Sequence, residues 1–195
     1  MTAAAPHQDA STRYLFAAGV ALFLAVVAGV WGLVVLAHDA DGADLLAFAK
    51  LRPAHVTLAV AWIFLAACGA IHAFLPGTCG APLFSVRLAR AQFWFFAAAG
   101  ALAIVGYKMG RFSGREYLDF PWPVSLCILL GWLCFVVNLF RTALRGRRPW
   151  PVWIWMWLTG SVVFLFSFLE SHLWMLPWFG NAPVRDLAGQ WKAYG

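Results

Sequence analysis

Histidine, arginine and glutamate in or beside apolar stretches carry the chemistry this sequence offers, because an ionisable group in lipid is costly to keep. His55 is the sharpest case, in the run Lys50-Leu51-Arg52-Pro53-Ala54-His55-Val56-Thr57. A neutral imidazole can ligate a haem iron. Arg52, three residues earlier, shares its face if the helical turn reaches that far. A guanidinium there could pair bidentately with a haem propionate. The plainer alternative is an interfacial histidine that caps a helix or meets water. A second group, Gly114-Arg115-Glu116-Tyr117-Leu118-Asp119-Phe120-Pro121, sets adjacent opposite charges before aromatics and proline. Its ordinary meaning is a solvated turn. On the same membrane face as His55, however, Arg115 would be a second cation for a second propionate, and Glu116 a carboxylate for a hard cation such as calcium.

Other candidates carry less. His72 follows His55 by 17 residues, which on a helix points it about 100° away, so a hydrogen-bonded packing role is expected. Glu170 and His172 stand near the end of the fifth apolar run and His38 at the end of the first. Each suits a water-exposed helix terminus, with a proton pathway or a second axial ligand as the alternative. Cys68, Cys79, Cys127 and Cys134 form no CxxC pair, so neither a zinc site nor a thioredoxin-like couple is indicated. There is no phosphate-cradling loop, nucleophile elbow or HExxH run.

These residues must be positioned by membrane helices. Of 195 residues, 63% are hydrophobic and 11% charged, against roughly 45–50% and 25% in ordinary soluble domains. Mean hydropathy is +0.77. A cytosolic globular enzyme, a disordered tail and a disulfide-stapled secreted domain are excluded. The net charge of +6 belongs to residues flanking apolar spans rather than to a nucleic-acid surface. A spanning helix needs about 20 mostly apolar residues. The pattern predicts an all-α bundle of five spans in one membrane domain over 1–195, at about 14–37, 55–75, 89–107, 123–140 and 152–176. Pro53 would lie in the first turn of the second span, and Pro76 and Gly77 would end it. Lys and Arg divide evenly between the two sides, but the compact Arg145-Gly146-Arg147-Arg148 cluster favours a cytoplasmic amino terminus and an outer carboxyl terminus. Trp150, Trp153, Trp155 and Trp157 suit an interfacial belt. Gly106 and Gly110 form one GxxxG, a motif that lets helices approach.

Arg52-Pro53-Ala54-His55-Val56-Thr57-Leu58, with Trp62 and Leu75-Pro76 after it, resembles helix two of the large subunit of bacterial nitric oxide reductase, in the haem–copper oxidase superfamily. Gly114-Arg115-Glu116-Tyr117-Leu118 with Pro121 is similar to that family's Gly-Arg-Glu-Phe-Leu loop. Phe135 to Asn138, Arg145-Gly146-Arg147 and Leu165-Phe166-Ser167-Phe168 fit in order and spacing, apart from a shorter loop after Tyr107. The resemblance covers about Arg52 to Phe168.

It implies that His55 is one axial ligand of a low-spin haem b, that Arg52 and Arg115 contact its propionates, and that Glu116 helps hold a calcium ion. In the family, electrons pass onward to a high-spin haem and a non-haem iron, where nitric oxide becomes nitrous oxide. A membrane-anchored cytochrome c subunit supplies them in some members. Family subunits have about a dozen spans and this chain resembles the first five. The second axial histidine and the ligands of the binuclear centre would therefore come from complementary helices or a second subunit. The chain is expected in the bacterial inner membrane as an oxidoreductase component, catalytically incomplete alone. A non-catalytic scaffold or assembly protein is the main alternative. A compact cytochrome ligated by His55 with His172 or His38 is another.

Overall fold

A computed structural model describes residues 6–38, 47–113 and 117–173. Among them there is no strand. Five helices run in order: α1 (Pro6–Ala37), α2 (Phe48–Cys79), α3 (Val86–Lys108), α4 (Trp122–Arg145) and α5 (Val152–Glu170). All five are long and apolar enough to cross a membrane. The shortest, α5, has 19 residues, or about 28 Å at 1.5 Å per residue, close to the hydrocarbon thickness.

The expected spans are present, but their ends differ. α2 has 32 residues, about 48 Å, and both prolines lie inside it. Pro53 is past the first turn, and the helix runs through Pro76 and Gly77 to Cys79 before Gly80, at φ 62°, caps it through a bond from its N–H to the Pro76 carbonyl. Each proline forfeits a single backbone bond, a loss that membrane helices tolerate where neighbours or water re-satisfy the carbonyl. α1 starts before Tyr14, and α4 continues past Phe140 to Arg145. α5 stops at Glu170, with Ser171 and His172 in a turn; positions 174–176 of the expected span lie outside the described residues. Among the described residues no helix packs on the GxxxG pair. Gly110 sits beyond α3 at φ 69° with nothing near it, while Gly106 packs on Pro121 rather than on another helix.

Successive helices alternate in direction, which sorts the chemistry to two ends. At one end the α2–α3 and α4–α5 turns meet, the Arg147 N–H donating 2.8 Å to the Cys79 carbonyl. Buried Asn138 and Thr142 of α4 fasten this end. Asn138 accepts from the Ser85 N–H at 3.0 Å and donates to the Ser85 carbonyl at 3.1 Å. Thr142 Oγ1 accepts from the Phe84 N–H at 2.9 Å, and Ser85 Oγ caps α3 by accepting from Leu88. Asn138→Leu leaves the Ser85 N–H unpaired and its carbonyl with the Ala89 N–H alone, at about 1–3 kcal/mol. The expected result is a clearly lower melting temperature in detergent, read by circular dichroism; an unchanged one would mean that the loop re-pairs elsewhere.

Tyr14, Cys68, Leu75, Phe135, Leu139 and Ile154 anchor the core where α1, α2, α4 and α5 meet. A second cluster of Ala99, Ala103, Tyr107, Phe120 and Val124 closes the opposite end between α3 and α4. α1 lies chiefly against α2 and presents Phe16, Phe23 and Leu33 outward, as a lipid-facing helix does. Two glycines make the α1–α2 approach possible. A Cβ on Gly69 would come 2.9 Å from Tyr14 Cβ, and one on Gly29 would come 2.8 Å from His55 Nδ1. Trp150 and Trp155, and Trp153 and Trp157, pair at 4.9 and 4.3 Å near the start of α5, with Arg148 over the Trp150 ring at 4.5 Å.

Candidate functional site

His55 occupies the second turn of α2 and points at α1. Its Nδ1–H donates 2.7 Å to the Ala25 carbonyl. That bond fixes the tautomer: the proton sits on Nδ1, and Nε2 keeps its lone pair. Nε2 makes no hydrogen bond to any described residue. A ring nitrogen bonded to a backbone carbonyl, with the other left free, is the usual setting of a metal-ligating histidine. Gly29, one turn from Ala25, supplies the room for the ring. Local sequence explains the placement: small residues at Ala25 and Gly29 open a notch in α1 that an imidazole fits and a bulkier neighbour would close.

Arg52 is in the same helix, exposed and three residues before His55, so the helical turn does extend that far and the pair shares a face. Arg115 and Glu116, with Gly114, lie outside the described residues. Their flanks reach the His55 end of the bundle. Ser113 Oγ donates 2.8 Å to the Leu118 carbonyl across the loop. Leu118 and Ala54, the neighbour of His55, pack on the same apolar cluster. Thr57, two residues past His55, shares a 2.7 Å hydrogen bond with the Tyr107 hydroxyl of α3. Tyr117 has φ 62°, in the left-handed region and unfavourable for a side chain of its size.

The two candidate second ligands stand apart from His55. His172 donates from Nδ1 to the Phe168 carbonyl at 2.6 Å and accepts at Nε2 from Ser125 Oγ at 2.9 Å, so both ring nitrogens are engaged and the ring faces α4. His38 bonds to the Val34 carbonyl of its own helix at 2.9 Å and is exposed. It lies nine residues beyond Gly29, roughly 14 Å along the axis, too far to share an iron with His55. Among the described residues no group of three or more His, Cys, Asp and Glu is placed to hold a metal ion. This geometry offers one imidazole nitrogen able to bind a metal and, one turn away, one cation.

A cavity of about 360 Å³ lies between α2, α3, α4 and α5, with Phe64, Phe96, Trp132 and Phe164 among its walls and Thr57 and Ser171 among its few polar groups. It is apolar and lies on the other side of α2 from His55, whose ring faces α1. Sequence reasoning gave no sign of it, since its walls come from four helices whose relative register no short motif records. His72 has the hydrogen-bonded packing role expected of it, with Gln92 of α3 as its partner at 2.9 Å.

Residues 9–185 match the family model described as Cytochrome C and Quinol oxidase polypeptide I. The chain is similar to a nitric oxide reductase subunit of Stutzerimonas stutzeri, 32% identical over 146 residues, covering 66% of this chain and 30% of that protein. It is also similar to the Cbb3-type cytochrome c oxidase subunit CcoN1 of the same organism, 28% identical over 160 residues, 75% of this chain and 33% of that one. A cytochrome c oxidase subunit 1 homolog of Agrobacterium tumefaciens (strain T37) is 28% identical over 159 residues, 78% and 29% respectively. The chain spans about a third of the length of these relatives.

Proposed function

The chain belongs to the cytochrome c and quinol oxidase polypeptide I family, and on that premise we propose that it is the haem b-binding portion of a nitric-oxide-reductase-like respiratory subunit. His55 holds the iron through Nε2, with the Ala25 carbonyl orienting the ring and raising its basicity. Arg52 neutralises a propionate, Arg115 does the same from the loop, and Glu116 helps hold a calcium ion beside them. When bound, the haem supplies reversible one-electron transfer. The second axial ligand and the binuclear centre where nitric oxide is reduced to nitrous oxide belong to complementary helices or a second subunit. A membrane-anchored cytochrome c subunit is the electron donor. The chain lies in the bacterial inner membrane with its amino terminus in the cytoplasm, the Arg145–Arg148 end facing inward.

The observation that carries this reading is the His55 imidazole, bonded at Nδ1 and with no hydrogen bond from Nε2 to any described residue. Nitric oxide reduction, rather than oxygen reduction, rests on the 32% identity to a nitric oxide reductase against 28% to the named oxidases. The engaged ring of His172 and the distance to His38 speak against a compact cytochrome built from this chain alone.

The test is a reduced-minus-oxidised visible spectrum with pyridine-haem quantitation, on the detergent-purified chain and on the complex purified from its native membrane. The expected result is haem b in the complex and none bound stoichiometrically by the chain alone. One haem b per isolated chain would overturn the requirement for a complementary ligand. No haem in either preparation would leave a scaffold or assembly role in its place.

A further inference from the structure

The best-buried histidine among the described residues is not His55 but His72, 1% exposed, packed against Gln92 of α3 at 0%. His72 Nε2–H donates to Gln92 Oε1 at 2.9 Å. Two polar atoms of this pair are buried without a hydrogen-bond partner among the described residues: His72 Nδ1, an acceptor in this tautomer, and Gln92 Nε2, a donor. Changing the assignment does not remove the deficit. If the amide is turned over, Gln92 Nε2 donates to His72 Nε2, and the pair is left with a His72 Nδ1–H donor and a Gln92 Oε1 acceptor instead. Either way one donor and one acceptor remain. The rings of Tyr14 and Phe135, 5.4 and 5.8 Å from the imidazole, offer neither, and the Cys68 thiol one turn earlier, which interacts with Gln92, is only a weak acceptor and a weak donor.

A ligand that completes both assignments must donate and accept at once and must be small. An anion could serve only the donor and a metal ion only the acceptor. We propose that the His72–Gln92 pair is a binding site for internal water, which accepts from the amide and donates to the imidazole. Buried waters commonly satisfy such groups. A second, independent feature lies one ring away from the site. Tyr14, whose ring touches His72, also lines a void of about 10 Å³ with Arg13 and Arg90, at the end of the bundle that carries the basic turns. That void is near the lower limit for a single water. The Tyr14 hydroxyl is tied back to the Ala89 carbonyl at 2.8 Å, so the ring stands between void and histidine. The site places a hydrated, proton-exchanging imidazole inside the membrane span, fed from the Arg13–Arg90 side, and it does not depend on haem at His55.

The full chain, with ¹⁵N-labelled histidine, is placed in phosphatidylcholine bilayers, and magnetisation transfer from water to the imidazole nitrogens is read by solid-state NMR. The His72 nitrogens are expected to gain intensity at mixing times comparable to those of exposed His38. Gln92→Leu is expected to cut the His72 transfer about fivefold or more, the site having lost its donor, with His38 unchanged. Gln92→Asn, which keeps an amide, is expected to retain part of it. A wild-type His72 that receives nothing while His38 is saturated overturns the proposal, and that arm needs no variant to fold. Unchanged transfer in a correctly inserted Gln92→Leu overturns it as well.

Discussion

His55→Ala is expected to abolish low-spin haem incorporation in the native complex while leaving all five helices inserted. The side chain is half-buried at the α1–α2 contact and among the described residues makes a single hydrogen bond, to the Ala25 carbonyl. Its removal therefore costs the fold little: one net hydrogen bond is worth about 0.5–1.5 kcal/mol, and the main apolar cluster lies elsewhere, around Leu75, Phe135 and Leu139. Iron ligation has no such redundancy, since among the described residues no second histidine can take over the position. His172 is held by Phe168 and Ser125, and His38 lies roughly 14 Å further along α1. Haem b per complex should fall below about a tenth of wild type, as expected when the sole protein ligand on one side of the iron is lost, with helical circular dichroism unchanged. Arg52→Gln should be milder. It leaves the ligand and removes one counter-charge, so binding should weaken while the low-spin spectrum persists. Wild-type haem content in His55→Ala would remove His55 from the site, whatever the behaviour of Arg52.

How much of this was legible beforehand follows from which contacts are local. Five spans could be read because each writes its own apolar run into the chain. Their ends could not, because a boundary reading weighs proline as a stop and takes the membrane thickness as the helix length. α2 obeys neither, running through Pro53 and Pro76 for 32 residues. His55 and Arg52 were legible as a pair since three residues on one helix decide it. Asn138 gave no such signal: its partner is the backbone of Ser85, 53 residues away, and a lone asparagine in an apolar run does not say which loop it will meet. Likewise nothing near Gly29 in sequence announces His55, and nothing near Gln92 announces His72. Both contacts depend on the register between helices, which this sequence leaves to packing. Arg115 and Glu116 remain expectations from the loop motif, since they lie outside the described residues.

That register makes Gly29 the most informative position outside the ligand itself. Gly29→Ala is expected to disturb the haem site without replacing any residue that would contact the haem. An added Cβ would sit 2.8 Å from His55 Nδ1 and 2.9 Å from Cε1, too close for either to stay, so the imidazole must swing away and its bond to Ala25 must lengthen or break. Losing a partner that orients a metal ligand typically costs 10–100-fold in metal affinity, and haem retention after detergent washing should fall on that scale. The low-spin signal that survives should show a shifted midpoint potential, because Nδ1–H bonding tunes how strongly Nε2 donates. The helix should not suffer, since alanine is the better helix former by about 0.8–1.0 kcal/mol. Gly19→Ala on the same helix provides the control. A Cβ there meets nothing within 4 Å, so the variant gains the same propensity and should keep wild-type haem. Equal loss in both variants would point to a general fault in α1. Equal retention would mean that the Ala25–His55 bond does not position the ligand. Loss at Gly29 alone ties the haem ligand to a notch in the neighbouring helix, and α1 then counts as part of the site rather than as its wrapping.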